Sequence, residues 1–312
     1  MDVKAQPGRV SAEERLSQLL AVAGEYGTGI ALEELSALLP VDFPDNVAGL
    51  TAWIRNHPDR ASVADGVATA PWASLEGLHT LGDRRLRGEE YWSRVIELFE
   101  GPLSPLRGLV HSAAVTGSAA YREPAPGDDL DVMTITSKGA VWLFLAWAFA
   151  SLRWSRRAAP PSGSHWCFNY VLDEPTARQQ YSKRGDYLFA REALTARPLF
   201  GRGRYRALLA DAAWMRDELP RLYASRLAEE APCESPAAPR GWAGRLTSLA
   251  IYPWLAAYLQ CAGLYRNHRF RRSGQADSQF KTVTRPGVYA LHTERYARLA
   301  QIYGGGREGP SG

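Results

Sequence analysis

The stretch from residue 114 to 136, AVTGSAAYREPAPGDDLDVMTIT, carries two polar motifs that can do chemistry. The first is the turn Gly117-Ser118, which ends an apolar, β-prone run. A glycine lets the backbone turn sharply, and phosphate oxygens can then approach the free N–H groups that open a following helix. The sequence therefore predicts that Gly117 and Ser118 bind phosphate.

The second motif is Asp129-Leu130-Asp131, which enters the strand-like segment LDVMTIT. Because side chains alternate along a strand, we expect both carboxylates on one face while Leu130 packs inward. Such hard oxygen ligands suit magnesium, and two ions can activate an attacking hydroxyl and neutralise a departing pyrophosphate. Asp129 and Asp131 are therefore the predicted metal ligands and catalytic residues of a nucleotidyl transfer.

In this order, the two motifs resemble the signature of the DNA polymerase beta-like nucleotidyltransferase superfamily, a Gly-Ser turn followed by acid-hydrophobic-acid. The resemblance implies that Gly117 and Ser118 hold the triphosphate, with ATP as the expected nucleotide, and that Asp129 and Asp131 hold two Mg²⁺ ions. The run CFNYVLDE (167–174), the helices after it and the end RYARLAQIYG are similar to poorly characterised bacterial members. The resemblance gives a fold but no acceptor.

Superfamily enzymes usually carry a third carboxylate on a later strand, where this chain offers only Asn169. An amide is a weaker metal ligand and a poor base. Asn169 is the predicted third catalytic position, and Asp173 or Glu174 at the strand end are the alternatives.

Two functions remain open at this point. One is an enzyme that transfers a nucleoside monophosphate to a hydroxyl of a small molecule, a protein or an RNA. The other is a catalytically inactive nucleotide-sensing or DNA-binding protein on the same fold.

Residues 1–80 predict a small module of three helices and a hairpin. The helical pattern from residue 11 has Ser11 as its cap, and further helices are expected over 32–39 and 46–57. Asp65-Gly66 favours a two-residue hairpin turn. This arrangement resembles a winged helix, which implies nucleic-acid binding through the third helix, although a packing or dimerisation module fits equally.

The remainder predicts an α+β protein in which residues 81–185 form a nucleotidyltransferase core of mixed sheet and flanking helices. Strands are expected over 109–115, 130–136 and 166–172, with a helix over 139–154 capped by Ser137. Residues 186–304 predict a C-terminal helical lobe that ends in a hairpin within 280–291 and a last helix. Residues 305–312 predict a disordered tail.

The bulk composition favours a folded protein, with 46% hydrophobic and 22% charged residues. The three cysteines are widely spaced, which argues against a disulfide framework or a zinc site. The polar N-terminus lacks a secretion signal, so we expect a cytoplasmic protein. Two apolar runs, 140–152 and 249–264, are shorter than the roughly 20 residues of a membrane span and predict buried core helices.

The net charge of the chain is only +4, and most of the basic residues are arginines. Arginine suits phosphate, although a GC-rich coding sequence gives the same bias. The densest basic segment predicts either a nucleotide-phosphate or RNA contact or a solvated helix end. Its members are Arg266, His268, Arg269, Arg271 and Arg272, with Lys281 and Arg285 beyond.

Overall fold

The computed structural model shows a mixed α+β fold, as predicted. It describes residues 10–73, 76–121, 124–125, 127–154, 164–230, 242–275 and 278–304. Cys233 and the predicted tail 305–312 lie outside the described residues.

The N-terminal segment has the predicted three helices and hairpin. Ser11 Oγ accepts a hydrogen bond from the Glu14 N–H at 3.1 Å, and Asn46 Oδ1 accepts one from the Gly49 N–H at 2.8 Å. Asp65 and Gly66 both have positive φ, as a tight hairpin turn requires. The strands pair antiparallel in the order β1-β3-β2. The elements are α1 (Ala12–Glu25), β1 (Ile30–Ala31), α2 (Leu32–Leu38), α3 (Val47–Asn56), β2 (Ser62–Ala64) and β3 (Val67–Thr69).

A second, six-stranded sheet carries the two polar motifs. After the long helix α4 (Glu76–Glu100), the chain enters the predicted strands and the predicted apolar helix. The elements are β4 (Val110–Val115), α5 (Gly117–Ala120), β5 (Leu130–Thr136), α6 (Val141–Trp154) and β6 (Trp166–Asp173). Strands β5 and β6 run parallel, and β4 runs antiparallel to β5.

The segment 186–304 contains the predicted hairpin and last helix together with one strand that the sequence did not predict, and all three strands join the same sheet. Strand β7 pairs with β4, and the hairpin β8-β9 pairs with β6, giving the order β7-β4-β5-β6-β9-β8. The elements from here are α7 (Glu174–Ser182), α8 (Tyr187–Thr195), β7 (Arg197–Phe200), α9 (Arg202–Asp211), α10 (Met215–Glu218), α11 (Pro220–Ala228), α12 (Trp242–Arg272), β8 (Phe280–Arg285), β9 (Val288–Thr293) and α13 (Glu294–Gly304). The sheet therefore crosses the predicted boundary at residue 185.

Two apolar cores lie on opposite faces of this sheet, as strand alternation requires. One core joins Met133 and Ile135 of β5 to helices α7 to α11 and to the N-terminal segment. The other joins Leu130 and Val132 to α4, α6 and α12. The N-terminal segment is attached through Arg221 of α11, whose guanidinium donates to the backbone carbonyls of Ser36, Val41, Phe43 and Pro44.

The two apolar runs behave differently in the structure. Helix α6 is a core helix, with Val141, Trp142 and Phe144 fully buried. Helix α12 is buried on one side only, which corrects the prediction of a core helix for that run. Over the described residues, no helix combines the length and apolar character needed to cross a bilayer.

The predicted cap of α6 is wrong in its residue. Ser137 Oγ donates to the carbonyl of Leu109 at 3.0 Å instead of capping the helix. The Gly139 N–H, just before α6, donates to the carboxylate of Asp173 at 3.0 Å. In the first turn of α6 the Leu143 N–H donates to Ser248 Oγ at 3.3 Å, so a long-range contact stands where the local cap was predicted.

Candidate functional site

The Gly117 turn and the Asp131 carboxylate lie side by side because β4 and β5 pair antiparallel. Val115 is opposite Val132, and the Thr116 N–H donates to the Asp131 carbonyl at 3.0 Å. Gly117 has φ +64°, and a Cβ there would overlap Asp131 Oδ2 and lie 3.3 Å from its Cγ. Only glycine permits both this backbone conformation and this close approach.

The turn opens the short helix α5, and its first N–H already has an anionic partner. The Gly117 N–H donates to Glu192 Oε2 at 3.3 Å, and the Tyr121 hydroxyl donates to Glu192 Oε1 at 3.1 Å. Ser118 is half-buried in the same turn. Glu192, carried by α8, therefore places a third carboxylate beside the turn.

Asp129 and Asp131 form a pair in which the charge of Asp129 opposes the ionisation of Asp131. Burial is the main cause that raises the pKa of Asp131 to about 8, and the charges of Asp129 and Glu192 add to its effect. Burial also raises the pKa of Asp129, against the lowering effect of His165 and Arg266. Asp129 is 47% exposed, so it is the carboxylate that solvent reaches. Without a cation, this pair is short of positive charge.

The parallel pairing of β5 with β6 brings His165 and Cys167 beside Asp129 and Asp131. The His165 carbonyl accepts a hydrogen bond from the Leu130 N–H at 2.8 Å, and its Nδ1 lies 3.8 Å from Asp129 Oδ1. Cys167 pairs in register with Asp131, and its thiol interacts with that carboxylate. Burial raises the pKa of the Cys167 thiol well above its usual range, with the Asp131 charge contributing, so the thiol stays protonated.

Asn169 lies two residues after Cys167, in an irregular stretch of β6. Two steps along β5, from Asp131 to Met133, match three steps along β6, from Cys167 to Tyr170. Bulges of this kind redirect side chains and often lie beside active sites. Asn169 Oδ1 is buried and has no hydrogen-bond partner among the residues described. A buried, unpaired amide oxygen is costly unless a ligand completes it.

Asp173 and Glu174 lie away from the carboxylate pair and serve other contacts. Asp173 pairs with Thr136, five residues or about 17 Å along β5 from Asp131. Its carboxylate caps α7 through the Thr176 N–H at 3.1 Å. Glu174 contacts His111 Nδ1 at 2.8 Å and also pairs with arginines. Of the three positions considered for the third ligand, only Asn169 lies near Asp131.

The basic run at the end of α12 acts on the site through the charge of its first member. Arg266 is exposed, and its charge lowers the pKa of Asp129 and of Cys167. Its guanidinium lies 5.2 Å from the ring centre of Phe280. One arginine of the predicted phosphate-binding run is thus close enough to act on a ligand held by Asp129.

The oxygen donors of this region fit a hard divalent cation such as Mg²⁺. Asp129 and Asp131 offer two carboxylates, and Asn169, which follows the register partner of Asp131 by two residues, offers an unpaired amide oxygen. The Cys167 thiol beside Asp131 stays protonated, and a metal binds the thiolate rather than the thiol. Considering only the described part of the chain, no cluster of three or more His, Cys, Asp or Glu side chains is close enough to form a metal site from these residue types alone. Asn169 is not one of these four residue types, so its amide oxygen is not counted in such a cluster.

Sequence reasoning identified Gly117, Asp129 and Asp131 but missed Glu192 and His165. His165 had a usable signal, because it precedes β6 as Asp129 precedes β5, and parallel strands begin at the same edge. Glu192 had none, since its contact depends on how α8 packs across the sheet.

Comparison of the chain with protein-family models, with curated proteins and with solved structures finds no match.

Proposed function

We propose that the protein is a metal-dependent nucleotidyltransferase that moves a nucleoside monophosphate from a nucleoside triphosphate, with ATP as the first candidate, to a hydroxyl acceptor. The observation that carries the proposal is the contact between Gly117 and Asp131. It brings a glycine-serine turn and an acid-hydrophobic-acid motif, which also resemble one superfamily signature, to a single place. The mixed six-stranded sheet with flanking helices supports a polymerase beta-like core.

In this proposal Asp129 and Asp131 hold magnesium, with Asn169 Oδ1 as a neutral ligand. Magnesium, when bound, neutralises the charge of the triphosphate and of the departing pyrophosphate. The Gly117-Ser118 turn binds the phosphates in this proposal, with Ser118 donating its hydroxyl to them. The acceptor oxygen bonds to the α-phosphorus, the bond to pyrophosphate breaks, and exposed Asp129 takes the hydroxyl proton.

Arg266 and Glu192 set the charge around the triphosphate in opposite directions. Arg266 adds a positive charge near Asp129 and favours the phosphates. Glu192 occupies the Gly117 N–H, so triphosphate binding requires Glu192 either to move or to share that donor. The proposal therefore includes a rearrangement of the Glu192 side chain on nucleotide binding.

A labelling screen tests the activity and finds the acceptor class together. The full-length protein is incubated with Mg²⁺, cell extract and each of the four α-labelled nucleoside triphosphates in turn. We expect magnesium-dependent label on one class of acceptor, and none when the label is on the γ-phosphate. Asp131→Asn should abolish the transfer, and full activity in that variant would refute the assigned role.

A second candidate is a nucleotide-sensing regulator without catalysis, and Asn169 favours it. An uncharged ligand at the third position binds metal more weakly and accepts no proton at neutral pH. The three N-terminal helices and the three-stranded sheet support a winged-helix module that binds DNA. Nucleotide binding without label transfer, together with a DNA gel shift, would favour this candidate over the enzyme.

A further inference from the structure

Helix α12 has an apolar face that the described residues of the chain leave uncovered. Residues 246–265 contain no charged side chain over 20 positions. The inner face of this stretch is well packed, since Ser248 Oγ accepts the Leu143 N–H and Gln260 donates to Thr282 and Thr284 of β8. The Tyr252 ring lies 4.9 Å from the ring of Trp142.

The outer face is apolar and exposed along the same length. From residue 246 to residue 258 its large side chains recur every three to five residues, which is the spacing of one helix face, and two more follow at 264 and 265. Their exposed fractions lie between 52% and 81%. We call this surface the outer stripe of α12, and its large members are Leu246, Leu249, Trp254, Tyr258, Leu264 and Tyr265. A helix that is apolar all round is normally buried all round.

We propose that the outer stripe is the homodimer interface of this protein, with α12 packing antiparallel against α12 of a second copy. The exposed area fits a dimer. At about 200 Å² per aromatic side chain, the three aromatics expose about 400 Å², and the leucines bring the stripe to about 600 Å². Two copies then bury about 1,200 Å², which reaches the lower bound of a specific interface.

The lack of charge favours a second copy over a different protein partner. Homodimer interfaces are more apolar than transient ones, and interface cores are depleted in charged residues. A two-fold axis matches the stripe with itself, so its apolar composition is complementary by symmetry.

The charge at one end of α12 sets the direction of packing. Arg266, His268, Arg269, Arg271 and Arg272 follow the stripe directly, and four of these five are arginines. Parallel packing would place the two basic ends side by side. Antiparallel packing separates them by the length of the stripe, about 30 Å at 1.5 Å per residue. Leu249 of one copy then lies opposite Leu264 of the other.

Mass measurement on the full-length protein tests the interface. We expect twice the chain mass of 34.4 kDa by light scattering across a wide concentration range. Leu264→Glu should weaken the dimer at least tenfold. Leu86→Glu is the matched control, because Leu86 is also a helical leucine, 74% exposed, on α4. A monomeric wild type, or equal dimerisation of Leu264→Glu and wild type, would overturn the proposal.

Two further measurements test the antiparallel arrangement and the alternative that the outer stripe binds a lipid surface. With the native cysteines replaced by serine, Leu249→Cys in one tagged chain should cross-link to Leu264→Cys in another, and cross-linking of Leu264→Cys with itself would overturn the antiparallel arrangement. Flotation with phosphatidylcholine vesicles should leave the protein unbound. Vesicle binding that Leu264→Glu abolishes, in a protein that is monomeric in solution, would replace the second copy with a lipid surface.

Discussion

The carboxylate of Asp131 lies directly against the Cα of Gly117, so that even a methyl group at position 117 would overlap Oδ2. The contact joins two strand ends that are 14 residues apart in sequence. It follows from the pairing of β4 with β5, and it connects the predicted phosphate turn to the predicted metal ligand.

Gly117→Ala should damage both stability and the site. Its φ of +64° costs an alanine about 1–2 kcal/mol, and the overlap with Asp131 adds to that cost. Gly27→Ala is the control, because Gly27 has φ +61° with nothing within 4 Å. Denaturant unfolding should show a larger loss for Gly117→Ala. Equal losses in the two variants would show that the close approach to Asp131 has no energetic effect.

Asp131→Asn should stabilise the metal-free protein at high pH. The pKa of Asp131 is about 8 in the folded chain against an ordinary value of 3.8, so the folded state holds a proton that the unfolded state has released. The contribution of Asp131 to the free energy of unfolding of the wild type is therefore complete below pH 4, and it is lost as the pH rises through 8. At about 1.4 kcal/mol per pKa unit, the variant should gain a few kcal/mol at pH 9 and little at pH 4.

Thermal melts of both proteins at pH 4 and pH 9, in the presence of a chelator, measure that difference. Asp211→Asn is a useful control, because Asp211 is an exposed partner of Arg178 far from the pair in sequence. A variant that melts below wild type at pH 9 would contradict the raised pKa of Asp131.

Glu192→Gln should lower the pKa of Asp131. The charge of Glu192 is one of the causes that raise this pKa, after burial and Asp129, and glutamine removes the charge while keeping an oxygen that can accept the Gly117 N–H. Carboxyl carbon NMR of the titrating aspartates measures the shift. An unchanged Asp131 midpoint would show that Glu192 does not act on the pair.

Arg221→Ala should loosen the N-terminal segment. The guanidinium donates to four backbone carbonyls between Ser36 and Pro44, and hydrogen bonds to a charged group contribute about 1.5–3 kcal/mol each before coupling. We expect earlier proteolytic cleavage before residue 73 than in wild type. Arg184→Ala, which removes an exposed pair with Glu218, should leave cleavage unchanged.

Local patterns predicted much of this fold because local interactions decide those parts. The cap Ser11 and the turn Asp65-Gly66 act within a few residues, and both appear as predicted. The strand carrying Asp131 was also visible from alternation. Ser137 shows the limit, since the side chain that accepts an N–H in the first turn of α6 is instead Ser248, which bonds Leu143 from 105 residues further along the chain.

The rest of the candidate site depends on tertiary packing. Glu192 reaches Gly117 from 75 residues away, and no local pattern encodes that distance. Strands β8 and β9 read as an isolated hairpin in sequence, and only their pairing with β6 shows that they belong to the main sheet. The one-sided burial of α12 was hidden because its apolar residues cover both faces.

Binding of Mn²⁺, a spectroscopic substitute for Mg²⁺, tests most directly whether Asp129 and Asp131 form a metal site. Titration followed by electron paramagnetic resonance at pH 8.5 should show binding to wild type and to Asp128→Asn, whose carboxylate instead accepts the Ala125 N–H. Binding should weaken at least tenfold in Asp131→Asn. Affinity that is unchanged in Asp131→Asn, or no binding to wild type with a nucleoside triphosphate present, would contradict the account.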